Sequence, residues 1–205
     1  MSEYHVVILQ YIVQLIAIMN PFSAIPTFIS LTEGLEKARR REIVRKAYYA
    51  GLVIVVSFTL VGRYILEAFN ISIASLRVGG GIILMVIALD MLGDEVRTKR
   101  MHPGDIAVVP IATPLIVGPG TITTILLLTS AAKSPMDILV ILAAGFIACS
   151  LTFLILAVSD ELTKLLSMST VRAMGRFMAL IIAGVAVEMI VMGLYTYYVE
   201  LFKGS

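Results

Sequence analysis

The chain has 205 residues, of which 59% are hydrophobic and 15% charged, with a mean hydropathy of +0.98 and a formal net charge of +2. A soluble domain is about half apolar and a quarter charged, so this composition excludes an ordinary soluble protein and indicates an integral membrane protein. The small net charge argues against a nucleic-acid partner, and a single cysteine, Cys149, excludes a disulfide framework or a cysteine metal site.

The N-terminus lacks the basic segment of a signal peptide, and its first apolar run is too long for one. It is read as a retained first span. No charge occurs between Glu3 and Glu33, so span 1 is predicted from roughly Tyr4 to Leu31. About 20 apolar residues suffice to cross a bilayer; the excess suits a broken helix. The break is predicted at Asn20 to Thr27, NPFSAIPT. Proline removes a backbone donor and clashes with the preceding turn, and the residue before it resists the helical region.

Glu33 to Lys46 reads as a charged connection and Ala47 to Phe69 as span 2. Span 3 follows from Ile73 to Leu92, with Gly79-Gly80-Gly81 inside it, and Gly93 to Asp105 as a second charged connection. Span 4, Ile106 to Ala131, carries a second break at Thr113 to Gly120, TPLIVGPG. Span 5 runs from Pro135 to Val158. Asp160 to Arg176 is a third polar connection with room for a short interfacial helix, and span 6 runs from Phe177 to Tyr198. Tyr4, Tyr64, Tyr195, Tyr197 and Tyr198 lie at span ends, where such rings prefer the interface.

The connections after spans 1, 3 and 5 hold twelve Lys and Arg residues, and the opposite side holds four: Arg63, Arg77, Lys133 and Lys203. The positive-inside rule therefore predicts both termini outside the cell, in a multi-pass protein of the plasma membrane.

The two breaks match. Pro21 pairs with Pro114 and Pro26 with Pro119, each 93 residues apart. Ser57-Phe58-Thr59 matches Ser150-Leu151-Thr152 at the same offset, and Leu76-Arg77-Val78-x-Gly80 matches Val171-Arg172-Ala173-x-Gly175 at 95. Three spans per unit make the second copy enter the membrane upside down. The predicted fold is thus an all-α membrane protein of six transmembrane helices in two inverted repeats, residues 1–100 and 101–205, with helices 1 and 4 discontinuous. In such folds, matched interruptions in the two halves point to a binding site near the midplane.

Each break leaves a half-helix whose first N–H groups have no internal partner and whose dipole places about half a positive charge there. Pro26 and Pro119 suit a first helical position, which puts Ser23 or Ala24 and Val117 or Gly118 near the caps. Two such ends would hold a carboxylate, and the carbonyls of the half-helices ending there would hold an ammonium. Gly118 and Gly120 allow close backbone approach. Asn20, Ser23, Thr27, Thr113, Thr121 and Thr124 can add hydrogen bonds; otherwise they are packing glue between spans.

Glu188 is the one carboxyl well inside a span. It is a candidate for proton coupling, or else a structural partner for Arg63, Arg77 or a backbone group. Asp90, one turn from the inner end of span 3, reads as a snorkelling or capping residue. No metal-ligand spacing, nucleophile elbow or Ser-His pair is present, so no enzyme activity, metal or cofactor is expected.

The motifs NPFSAIPTF in span 1, LRVGGGIILMVIALDML in span 3 and VPIATPLIVGPGTITT in span 4 resemble the MarC family of six-span membrane proteins. Arg172 to Arg176 at the start of span 6 fits as well, and the likeness covers essentially the whole chain. The resemblance implies carriage of small neutral amino acids such as glycine and alanine, held between the breaks of spans 1 and 4. On this chain it carries over Asn20, Pro21, Pro26, Thr113, Pro114, Gly118, Pro119 and Gly120. The expected activity is secondary transport with alternating access by movement of one repeat against the other. A proton is favoured as the coupling ion over sodium, whose ligands would be backbone carbonyls invisible to sequence. A channel or exporter for another small solute is the alternative. Oligomeric state is not legible.

Overall fold

A computed structural model of the chain describes residues 2–93 and 116–203. Among these residues it is all-helical: α1 (Ser2–Met19), α2 (Pro21–Leu31), α3 (Lys37–Ala68), α4 (Ile73–Leu92), α5 (Pro119–Ala131), α6 (Pro135–Ala157), α7 (Ser159–Leu165) and α8 (Met168–Lys203). Five stretches are long and apolar enough to cross a bilayer: Tyr4–Leu31, Lys37–Ala68, Ile73–Leu92, Pro135–Ala157 and Met168–Phe202. Pro119–Ala131 is a shorter apolar helix. The protein is therefore a multi-pass membrane protein. Thr113, Pro114 and the first half of predicted span 4 lie outside the described residues.

Local chemistry sets the helix ends. Ser72 caps α4 by accepting from the Ser75 N–H at 3.0 Å, and α4 stops at Gly93. Ser134 and Asp137 form a reciprocal capping box ahead of α6, with Pro135 in its first turn. Both helices begin where the sequence places them.

Two charged connections are mostly helix. Only residues 32–36 turn between α2 and α3; Lys37 to Lys46 extend α3. Lys, Arg and Glu are good helix formers, and Glu42 pairs with Arg39 at 2.6 Å and with Lys46 at 2.9 Å along one face. The polar connection over Asp160 to Arg176 carries at its start the short helix the sequence has room for, α7, and is shortened by α8, which already begins at Met168.

α4 and α8 make the most extensive helix pair, and glycines bring them close. A Cβ on Gly81 would lie 2.8 Å from the Ala186 carbonyl oxygen, and one on Gly193 2.9 Å from the Ala74 carbonyl oxygen. Small residues at such crossings replace the hydrophobic driving force that lipid does not provide. Gly81→Ala is expected to cost about 1–3 kcal/mol through overpacking, read as a lower thermal midpoint by circular dichroism in detergent. Gly79→Ala, with open space around its Cβ, should leave the midpoint unchanged or raise it.

The main core joins α1, α2, α3, α5 and α6 through Leu15, Met19, Ile25, Phe28, Val55, Ile125, Ala148 and Phe153. A smaller cluster of Ile18, Leu84, Ala88, Ile182 and Ala186 fastens α1 to the α4–α8 pair. At one end Arg40 of α3 reaches α7: its Nη1 donates to both Asp160 carboxylate oxygens at 2.6 and 2.8 Å, and the guanidinium lies 5.4 Å from the Phe28 ring centroid.

Candidate functional site

The first span breaks at Asn20. The Asn20 N–H still bonds the Ile16 carbonyl at 2.9 Å, closing α1. Its backbone then turns left-handed, with φ 40° and ψ 69°, a region open mainly to Gly, Asn and Asp. Its side chain, 1% exposed, caps the new helix: Oδ1 accepts from the Ser23 N–H at 3.3 Å. Nδ2 donates to the Gly175 carbonyl of α8 at 3.4 Å and lies 3.5 Å from the Met91 sulfur of α4. One asparagine thus ends α1, starts α2 and ties the break to two other helices.

Pro21, not Pro26, occupies the first helical position of α2; Pro26 lies within the helix. The expectation for Pro26 fails because Asn20 supplies both a cap and a left-handed turn, so the helix starts five residues earlier. Pro26 still has an effect: it removes the N–H that would bond the Phe22 carbonyl four residues back. The start of α5 follows the expectation for Pro119. Gly118 caps α5 with extended backbone, and Pro119 is the first helical residue.

The starts of α2 and α5 line one cavity of about 410 Å³. From the first come Asn20, Ser23, Pro26 and Thr27; from the second come Gly118, Pro119, Gly120 and Thr121. Phe22, Ile18, Ile87 and Ile116 supply apolar wall. Both helix starts, with their positive dipole ends, lie at this space. Helix starts of this kind suit an anionic group. The Thr121 hydroxyl donates to the Ile116 carbonyl at 3.2 Å and the Thr124 hydroxyl to the Gly120 carbonyl at 2.9 Å. Thr124 is buried and does not line the cavity; it fixes the first turn of α5. Pro21 is buried beneath the wall as the start of α2.

Glu188 is not at this site. It is exposed on the outer face of α8, beside exposed Val187 and Val191, and does not line the cavity. Three residues that sequence order had assigned to span ends and loops do line it: Asp90 in the last turn of α4, and Arg172 and Arg176 in the first turns of α8. The antiparallel α4–α8 pairing places these ends together. The signal for Asp90 was present as an acid in the last turn of a helix, where the carbonyl ends disfavour it.

The model of the MarC family integral membrane proteins matches residues 5–198. The chain belongs to the MarC family. Among this member's relatives, the UPF0056 membrane protein YvbG of Bacillus subtilis is 36% identical over 198 residues, covering 91% of this chain and 93% of the relative. The UPF0056 membrane protein MJ1677 of Methanocaldococcus jannaschii is 33% identical over 198 residues, covering 91% and 97%. A UPF0056 membrane protein of Aquifex aeolicus is 29% identical over 203 residues, covering 95% of each. No solved structure matches this MarC-family chain.

Proposed function

We propose that this MarC-family protein is a secondary transporter of small neutral amino acids, of the glycine and alanine class. The observation that carries the reading is the opening of two helix N-termini, those of α2 and α5, on one small cavity. Their N–H groups would receive the substrate carboxylate. The cavity of about 410 Å³ accommodates an amino acid, and Ile18, Ile87 and Phe22 give it an apolar wall for an uncharged side chain.

The wider architecture we read is six spans in two inverted repeats, residues 1–100 and 101–205. The helix pairings support it: α2 packs on α6 as α5 packs on α3, and α2 packs on α8 as α5 packs on α4. The glycines matched in sequence play matching parts. Gly175 receives Ser23 at the start of α2, and Gly80 receives Thr123 in the first turns of α5. Thr113 and Pro114 complete the site in this reading. The protein sits in the plasma membrane with both termini outside, by the distribution of Lys and Arg, and works as a carrier rather than an enzyme. A proton is the favoured coupling ion.

Reconstitution in liposomes tests this directly. Glycine or alanine uptake should saturate with concentration and respond to an imposed pH gradient. Flux that never saturates would make the protein a channel, and uptake of neither amino acid would remove the substrate class. Uptake that requires sodium at fixed pH would replace the proton with sodium.

A further inference from the structure

The cavity has an anion-binding floor, but an amino acid also carries an ammonium. Asp90 is the sole acidic side chain among the described residues that line this cavity. Its position is locally unfavourable: it sits in the last turn of α4, where the carbonyl ends repel a carboxylate. No ion pair among the described residues compensates it. The pairs present there are Arg39–Glu42, Arg40–Asp160, Lys46–Glu42 and Arg63–Glu67. A residue that breaks a local rule without a structural gain is where function is expected. Its neighbour Met91 places its sulfur 3.5 Å from Asn20 Nδ2, so the last turn of α4 lies against the break of span 1. Arg172 and Arg176 line the same side of the cavity. The two helix starts suit a carboxylate, and Asp90 is the acidic side chain among the described lining residues that suits a cation.

We propose that Asp90 holds the substrate's ammonium group and is the residue that makes the site select amino acids over simple monocarboxylates. The carboxylate goes to the starts of α2 and α5, and the ammonium to Asp90. This rests on the carrier reading above and assigns the half of the substrate that the helix breaks leave unrecognised. Asp90 is a specificity residue in this scheme: removing its charge leaves the carboxylate subsite intact.

The test is calorimetric titration of the full-length protein in detergent with L-alanine and with propionate, which is alanine without its amine. Wild type should bind alanine at least about tenfold more tightly than propionate, the scale of one charge-assisted contact. Asp90→Asn should bring the two affinities to within about threefold, chiefly by weakening alanine, with an unchanged thermal midpoint. Asp90→Glu should keep most of the preference. A preference in Asp90→Asn equal to that of wild type overturns the assignment while leaving the carrier reading in place. Equal affinities in wild type also overturn it, whether or not the variants fold, and leave only a carboxylate site. Absence of saturable alanine binding in wild type removes the carrier reading, and the role of Asp90 with it. If Asp90→Asn cannot be purified, Asp90→Ser takes its place with the same two outcomes.

Discussion

Asn20→Ala is expected to abolish saturable alanine uptake and to lower the thermal midpoint together. The side chain caps the Ser23 N–H and donates to the Gly175 carbonyl from a site 1% exposed. Losing an asparagine cap costs about 0.5–2 kcal/mol, and holding alanine left-handed adds roughly 1–2 kcal/mol. Uptake should fall at least tenfold, because α2 would no longer start beside the cavity. Two further variants separate the contributions. Asn20→Gly removes the backbone strain but not the lost bonds, so it should recover stability more than transport. Asn20→Asp keeps an acceptor for Ser23 but cannot donate to Gly175, so it should fall between. A folded Asn20→Ala protein with wild-type uptake would mean that the substrate does not use this break.

Gly120→Leu should be nearly as damaging to transport. A Cβ at this position already lies 2.6 Å from Leu84 Cδ2, 3.4 Å from Ile18 Cγ2 and 3.5 Å from Ile87 Cδ1. A full leucine must push the first turn of α5 away from α1 and α4 and displace the helix start from the cavity wall. The expected result is at least a tenfold loss of uptake with about 1–3 kcal/mol of destabilisation. Gly120→Ala should do much less harm, since the nearest atom is the movable tip of Leu84. Combining it with Leu84→Ala should relieve the contact. Uptake in Gly120→Leu liposomes indistinguishable from wild type would place the substrate elsewhere.

The sequence revealed spans wherever a cap and an apolar run coincide. Ser72 and Gly93 bound α4, and Ser134, Pro135 and Asp137 open α6 where the residues themselves suggest. Charge misled the reading of where α3 begins, because a run of Lys, Arg and Glu was read as a connection between spans. The spacing of Arg39, Glu42 and Lys46 was the helical signal within it. The first break was located correctly, but its helix start was misplaced. Proline spacing indicates that a helix is interrupted; it does not reveal that one side chain can both cap and bend the chain at Asn20. Asp90, Arg172 and Arg176 were missed for a different reason. Arg172 and Arg176 are ordinary in their own segment, Asp90 stands out only as an acid at a helix end, and the antiparallel return of α8 along α4 is what brings the three to one cavity.

The glycine-lined crossing of α4 and α8 limits how the protein can move. Backbone oxygens of Ala186 and Ala74 stand where the Cβ atoms of Gly81 and Gly193 would be, so the two rods are keyed together and cannot slide without rupturing their closest seam. In the proposed two-repeat reading those rods are the last spans of the two halves, and wholesale rocking of one half over the other would have to shear that seam. Swinging at residues 20 and 118 would not: the helical hydrogen-bond ladder is interrupted at Asn20 and begins afresh at Gly118, and the short arms α2 and α5 can tilt while the keyed pair stays still as a frame.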